Sequence, residues 1–191
     1  AYASELVNAG SFDATSMAEI AHAAGCSVGA LYFRFSSKEA LFASVIDVAM
    51  KQEMEAITRR ADKGRYRGRP LAETVSFCVN DFIGFIKGNA PMIRAMYQRS
   101  SGGAEYWRVV QTATFDMVRI WIQAVAEAAG RSNDKAYLRQ AGLAFQFVSS
   151  TLVYSVLIDS PVRPLSRREL EFWLKEMFLH FIAVEVPAEF E

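Results

Sequence analysis

Between residues 15 and 39 the chain reads TSMAEIAHAAGCSVGALYFRFSSKE, and its polar groups stand at helix starts rather than in catalytic company. Ser16 with Glu19 three residues on has the form of a capping box, Ser27 stands before the next apolar run, and Ser36 with Glu39 repeats the box. A helix start carries free N–H groups and a partial positive charge, so it binds phosphate without a basic side chain. Two such ends are expected, at Thr15-Ser16 and at Ser37-Lys38, with the Tyr32 hydroxyl as a further donor on the flank. The chemistry on offer is anion binding. No nucleophile stands beside a base, no phosphate loop is present, and no carboxylates pair at catalytic spacing. His22 and His180 lack the neighbours that a metal site needs. An enzyme is therefore not expected, and neither a metal nor a cofactor is.

Two predicted helices position these groups, one over residues 16–24 and one from Ser27 through Phe35, linked by Gly25-Cys26. Gly25 accepts the left-handed backbone of a sharp turn at no steric cost. Ile20, Ala21 and Ala24 are spaced to pack on Val28, Leu31 and Phe35, and small alanines let the helices cross closely: the sequence form of a helix-turn-helix. On a helical wheel Leu31, Val28 and Phe35 share one side. Gly29, Ala30 and Phe33 point the opposite way, with Tyr32 and Arg34 on the flanks. Small residues with one exposed aromatic suit a helix that enters the major groove of duplex DNA, Phe33 lying against thymine methyls.

Residues 15–46, TSMAEIAHAAGCSVGALYFRFSSKEALFASVI, resemble the DNA-binding domain of TetR/AcrR-family transcriptional regulators. The resemblance rests on Thr15, Ile20-Ala21, Ala24-Gly25, Ser27, Leu31-Tyr32, Phe35, Ser37-Lys38-Glu39 and Leu41, and covers about the first fifty residues. It implies a helix-turn-helix over residues 16–35, a recognition helix from Ser27 to Phe35, and phosphate contacts from Tyr32 and Lys38. With the wheel, it gives Thr15, Ser16, Ser27, Val28, Gly29, Ala30, Tyr32, Phe33, Arg34 and Lys38 as the DNA-binding residues. One departure stands out. Residues 1–50 hold Glu5, Asp13, Glu19, Glu39 and Asp47 against only Arg34 and Lys38. Family members often carry a basic arm before the first helix, and this chain begins inside that helix. Phosphate binding is expected to lean on helix ends or on residues that precede Ala1.

The whole chain has 191 residues, 52% of them hydrophobic, and a net charge of zero. That is too apolar for disorder and too neutral for attraction of the whole protein to nucleic acid or anionic membrane. Cys26 and Cys78 fall in different predicted substructures, so free thiols and a cytoplasmic protein without a signal peptide are expected. The uncharged run from Gln140 to Ile158 has the length of a membrane span, but Gln146, Ser149, Ser150, Thr151 and Ser155 dilute it, and a buried helix is the expectation.

Helical signals fill the rest, with helices expected near 41–60, 70–88, 91–100, 103–129, 133–158 and 166–185. The Gly-punctuated basic segment RRADKGRYRGR, residues 59–69, separates the two halves and reads as a solvated loop, with extra nucleic-acid contact as the alternative. Beyond it, fourteen Phe, seven Tyr, seven Met and three Trp enrich the chain in large side chains. They suit either an ordinary core or an apolar ligand pocket. The family resemblance favours a pocket, with Cys78, Phe82, Met92, Met96, Tyr97, Trp107, Gln111, Phe115, Phe147 and Thr151 as its candidate lining. Asn80, Asp81, Thr114 and Gln146 are further polar candidates; Asp81 reads better as solvent-facing or as part of a salt bridge. Residues 170–184 are apolar on more than one face, and Ser149 and Ser150 permit close helix approach. A four-helix interface between two chains follows, through Ser149, Tyr154, Trp173, Met177, Phe178 and Phe181, unless the helix pair is simply buried in a monomer.

The sequence thus leads to an all-α chain of about nine helices. Residues 1–50 form a three-helix DNA-binding domain, and residues 51–191 a helical bundle for effector binding and dimerisation. The expected function is that of a homodimeric repressor on a palindromic DNA operator, released when a small apolar effector changes the spacing of the two reading helices through the helix at 41–60. The rival is a dimeric DNA-binding module that works with protein partners and takes no effector.

Overall fold

The computed structural model describes residues 2–99, 105–158 and 165–185, with the backbone alone over 105–113. Among these residues every regular element is a helix: α1 (Tyr2–Asn8), α2 (Met17–Ala23), α3 (Val28–Arg34), α4 (Lys38–Asp62), α5 (Leu71–Gly88), α6 (Ala90–Arg99), α7 (Glu105–Ala128), α8 (Lys135–Leu157) and α9 (Arg167–Ala183). They fall into two compact units, Ala1–Glu53 with Asn89–Ala113, and Met54–Gly88 with Thr114–Glu191.

Caps set the helix starts. Ser16, Ser27, Asp134 and Ser166 each accept a backbone N–H from three residues on, and Ser16 and Ser166 complete reciprocal boxes with Glu19 and Glu169. At α4 the cap is Ser37 rather than Ser36. Its hydroxyl accepts the Ala40 N–H at 3.1 Å, and its carbonyl takes the first helical bond, from Leu41.

In the first unit α1 packs on α2 and α6, and α2 on α3. Phe12 and Phe42 meet at its centre, ring centroids 5.4 Å apart. In the second unit α5 and α8 both pack on α9 and on each other. An aromatic row runs through it: Phe82 to Trp121 at 5.2 Å, Trp121 to Phe145 at 5.8 Å, and Phe145 to Phe178 at 4.7 Å. Gln140 of α8 is buried, and its side-chain amide donates to the carbonyls of Phe181 and Val184, each at 2.7 Å. It thereby adds donors at the carbonyls that end α9, of which that of Phe181 also accepts the Val184 N–H at 3.4 Å.

The basic segment 59–69 is not simply solvated. The Arg65 guanidinium donates twice to the Asp81 carboxylate, at 3.1 and 3.2 Å, and the Tyr66 hydroxyl donates to it at 2.6 Å. Arg60 lies 3.4 Å from the same carboxylate, and Trp121 donates its indole N–H to the Tyr66 oxygen at 3.1 Å. Arg65 and Arg69 also stack on Phe77. Asp81 is therefore the anchor of the loop, a salt-bridge partner rather than a ligand group. Burial, with Asp81 beside it, pushes the Tyr66 phenol well above its ordinary range, so it stays a donor.

Among the described residues no helix is long and apolar enough to cross a membrane. The uncharged run in α8 buries one stripe, including Ala141, Ala144, Phe145, Val148 and Leu152, and turns Gln146, Ser150 and Ser155 outward.

Tyr66→Phe removes the acceptor of the Trp121 N–H and one donor to Asp81. A loss of about 1–3 kcal/mol in unfolding free energy is expected, the penalty of an unsatisfied buried polar group. Urea denaturation of the two proteins measures it, and an unchanged midpoint would show that this network does not hold the loop.

Candidate nucleic-acid interface

The turn between α2 and α3 is a Schellman motif. Gly25 sits at φ 67°, its N–H bonds to the His22 carbonyl, and the Cys26 N–H bonds to the Ala21 carbonyl, both at 3.0 Å. Only a residue tolerant of positive φ fits there. The chain leaves this turn into the Ser27 cap, whose hydroxyl accepts the Ala30 N–H at 3.1 Å.

Leu31 is the one residue that α3 buries, against an α2 face where Ile20 and Ala21 are also buried. Val28 is exposed, although its wheel position matches Leu31: it stands at the first helical residue, where the helix has run past the core. Phe33 is 96% exposed and Tyr32 49% exposed, with Gly29, Ala30 and Arg34 also outward. The Arg34 guanidinium sits 5.7 Å from the Phe35 ring. Thus Val28, Gly29, Ala30, Tyr32, Phe33 and Arg34 share one exposed helix, and Ser27 caps it.

The starts of α2 and α4 meet at one corner. The Lys38 ammonium donates to the Asp13 carbonyl at 2.7 Å and lies 5.4 Å from the Phe12 ring. Its charge also reaches the Glu19 carboxyl of the α2 capping box. This box changes the expectation for α2 as an anion site. The Glu19 carboxylate already accepts the Ser16 N–H at 2.7 Å, and the Ser16 hydroxyl accepts the Glu19 N–H at 3.2 Å. Thr15 is likewise engaged locally, its hydroxyl donating to the Ser11 carbonyl at 3.0 Å. Lys38 is the group at this corner with the charge to meet a phosphate.

Asp13 and Arg99 were not legible as part of this corner. Arg99, at the end of α6, pairs with the Asp13 carboxylate and lies 4.0 Å over the Phe42 ring. The pair spans 86 positions of sequence.

The candidate effector residues are divided between the two units. Met92 and Met96 are buried and Tyr97 is exposed on α6, in the first unit. Cys78 and Phe82 are buried on α5 in the second. Phe115, 76% exposed, and Phe147, 52% exposed, face outward with Thr151, whose hydroxyl donates to the Phe147 carbonyl at 3.0 Å. Trp107 and Gln111 have side chains outside the described residues. Of the further polar candidates, Asn80 donates to Glu171 on α9, Gln146 is exposed and Thr114 is half-buried. Burial pushes the Cys78 thiol well above its ordinary range, so it is a core thiol rather than a nucleophile. Cys26 is exposed in the turn, and both thiols are free.

Of the candidate interface residues, Tyr154, Trp173 and Met177 are exposed, while Ser149 and Phe181 are half-buried. Phe178 is fully buried against Phe145 of its own chain, so it serves the protomer's core. His180, also exposed, contacts its own helix, the Glu176 carbonyl, at 3.2 Å. Among the described residues no group of three His, Cys, Asp or Glu could hold a metal ion.

Two predictions follow from this corner. Tyr32→Ala and Lys38→Ala should weaken binding to every duplex sequence, and Lys38→Ala should reduce the salt slope by about one; equal affinity at all salt concentrations would remove Lys38 from the interface. The second concerns acid. The Ser16 hydrogen bonds hold the Glu19 carboxyl below its ordinary value, so Glu19 adds stability above that value and loses it as pH falls through the lowered one. Glu169 behaves alike with Ser166. The Glu19→Gln, Glu169→Gln protein should therefore show a shallower fall in melting temperature on acidification below pH 5, and an unchanged slope would exclude the boxes as acid-sensitive elements.

Residues 1–45 match the family described as bacterial regulatory proteins, tetR family. No curated protein matches the chain in sequence. Two solved structures share its fold. One is the transcriptional regulator FadR from Bacillus subtilis in complex with stearoyl-CoA, with TM-score 0.63, 15% identity, and 95% of this chain and 94% of that one covered. The other is the superantigen PfiT, with TM-score 0.62, 19% identity, and coverages of 94% and 91%. At such identities the likeness is one of fold. The helix-turn-helix segment carries the family likeness: residues 1–45 match the tetR family of bacterial regulatory proteins, and the rest of the chain shares only the fold of these structures.

Proposed function

We propose that the chain acts as a homodimeric repressor. α3 of each protomer reads one half of a palindromic operator, and a small, largely apolar effector bound within residues 51–191 releases it. The observation that carries the DNA-reading part is the exposed face of α3, with Phe33 almost wholly in solvent between a flanking Tyr32 and the Lys38 corner. A phenylalanine so exposed takes no part in the protomer's own packing and is free to meet a ligand.

Dimerisation rests on α8 and α9. Leu143, Phe147, Ser150 and Tyr154 form an exposed stripe along α8, and Trp173, Met177, His180 and Val184 one along α9. The helices pack on each other, and Phe147 of α8 meets Phe181 of α9 at 5.3 Å. The two stripes thus join as one apolar face of the second unit, suited to the same face of another copy. The effector part draws on the aromatic row of the second unit and on the stearoyl-CoA in the FadR structure of like fold.

One set of measurements tests the reading. Sedimentation should show a dimer that Trp173→Glu turns into monomers, and the monomers should lose most of their affinity for an operator selected from random duplexes. A dimer that survives Trp173→Glu would move the interface elsewhere. A long-chain acyl-CoA should lower operator binding; a complex indifferent to it and to a panel of apolar compounds would favour the effector-free module.

A further inference from the structure

We propose that α3 distinguishes its operator by apolar contact with thymine 5-methyl groups, and that Phe33 is the residue which reads them. The inference rests on α3 being the DNA-reading helix and names what it reads.

Three observations carry it. First, the outward centre of α3 offers no hydrogen-bonding side chain: Val28, Gly29, Ala30 and Phe33 are all exposed. Of the polar neighbours, the Ser27 hydroxyl is engaged as the cap, Arg34 sits by the Phe35 ring at the last turn, and Tyr32 stands on the flank. The bidentate amide and guanidinium contacts that usually pick out adenine or guanine have no bearer at the centre of this face. Second, Phe33 is 96% exposed, so its ring is available whole. In the major groove the one apolar group on an unmodified base edge is the thymine methyl. Third, Gly29 is not required by the fold. A Cβ added there meets nothing within 4 Å, and its backbone is ordinary helix. Gly29 is the second residue of α3, and the protomer shows no packing return for its missing side chain. Close approach of the helix backbone to a base edge supplies one.

The experiment uses the intact dimer and an operator selected from randomised duplexes. If no sequence is enriched over random DNA, the DNA-reading assignment itself falls. With an operator in hand, each thymine is replaced by deoxyuridine, symmetrically in both half-sites, which removes a methyl and changes no hydrogen-bonding group. At one or two positions per half-site the loss should be about fourfold per methyl, near the worth of one buried carbon. Cytosine at the same position should bind poorly, and 5-methylcytosine should recover part of the loss. In Phe33→Ala the uracil penalty should vanish, and Phe33→Leu should retain part of it. Gly29→Ala should keep the fold and lose operator affinity more than affinity for random DNA. Tolerance of uracil at every position would overturn the proposal. So would a uracil penalty that persists undiminished in Phe33→Ala, which would assign the methyl contact to another residue.

Discussion

The first unit depends on how a seven-residue helix with a single buried side chain is held still. A helix as short as α3 is marginal by itself in water. Leu31 alone anchors it sideways, and its entry point and angle come from the Gly25 turn and the Ser27 cap. This economy leaves the other side chains of α3 free to face a ligand. It also makes the placement of α3 a property of its neighbours. α2 carries the buried surface that receives Leu31, α1 supports α2, and α6 packs on α1.

Charge is arranged locally rather than accumulated. With five acidic and two basic residues in its first fifty positions, the DNA-binding segment has no attractive net field of its own. What matters is which acids stand near the few cations. Asp13 lies beside Lys38, yet its carboxylate is taken by Arg99 and only its carbonyl meets the Lys38 ammonium. Glu19 is drawn into the capping box. Asp13 and Glu19 thus both hold other partners, although the Lys38 charge still reaches Glu19.

What the sequence revealed and what it hid divide by range. Caps and periodicity are local, so the helices lie within about two residues of their expected limits, and the Ser16–Glu19 box forms as read. The one local miss, Ser37 for Ser36 at α4, comes from two adjacent serines of equal propensity; the approach of the chain to the helix decides between them. Contacts across long separations left no local signal. Neither Arg99 with Asp13 nor Asp81 with Arg60, Arg65 and Tyr66 repeats any helical spacing. The apolar candidates divide for a related reason. A wheel shows that Phe82, Phe115 and Phe147 lie on apolar faces, but not which faces meet another helix. Phe82 joins the aromatic row, whereas Phe115 and Phe147 point outward.

Helix α9 shows how the same pattern carries two demands. Leu170, Leu174, Phe178 and Ile182 form the stripe that its own protomer buries. Trp173 and Met177, each one residue before a member of that stripe, lie about a hundred degrees round the helix and stay outside, Trp173 being 60% exposed. One stripe satisfies one core. A second stripe of large side chains is unfavourable in water unless something covers it, and it continues onto α8 through Phe147 and Phe181. Helices α5 and α8 of the same chain already occupy the first face. The second is left for a partner, and a face formed by two adjacent antiparallel helices is matched most simply by its own twofold copy. The proposed dimer and the proposed reading of a palindrome then share one origin: a symmetry axis fixed by the surplus apolar residues of α9 and α8 relates two copies of α3, and each meets the same base sequence on opposite strands.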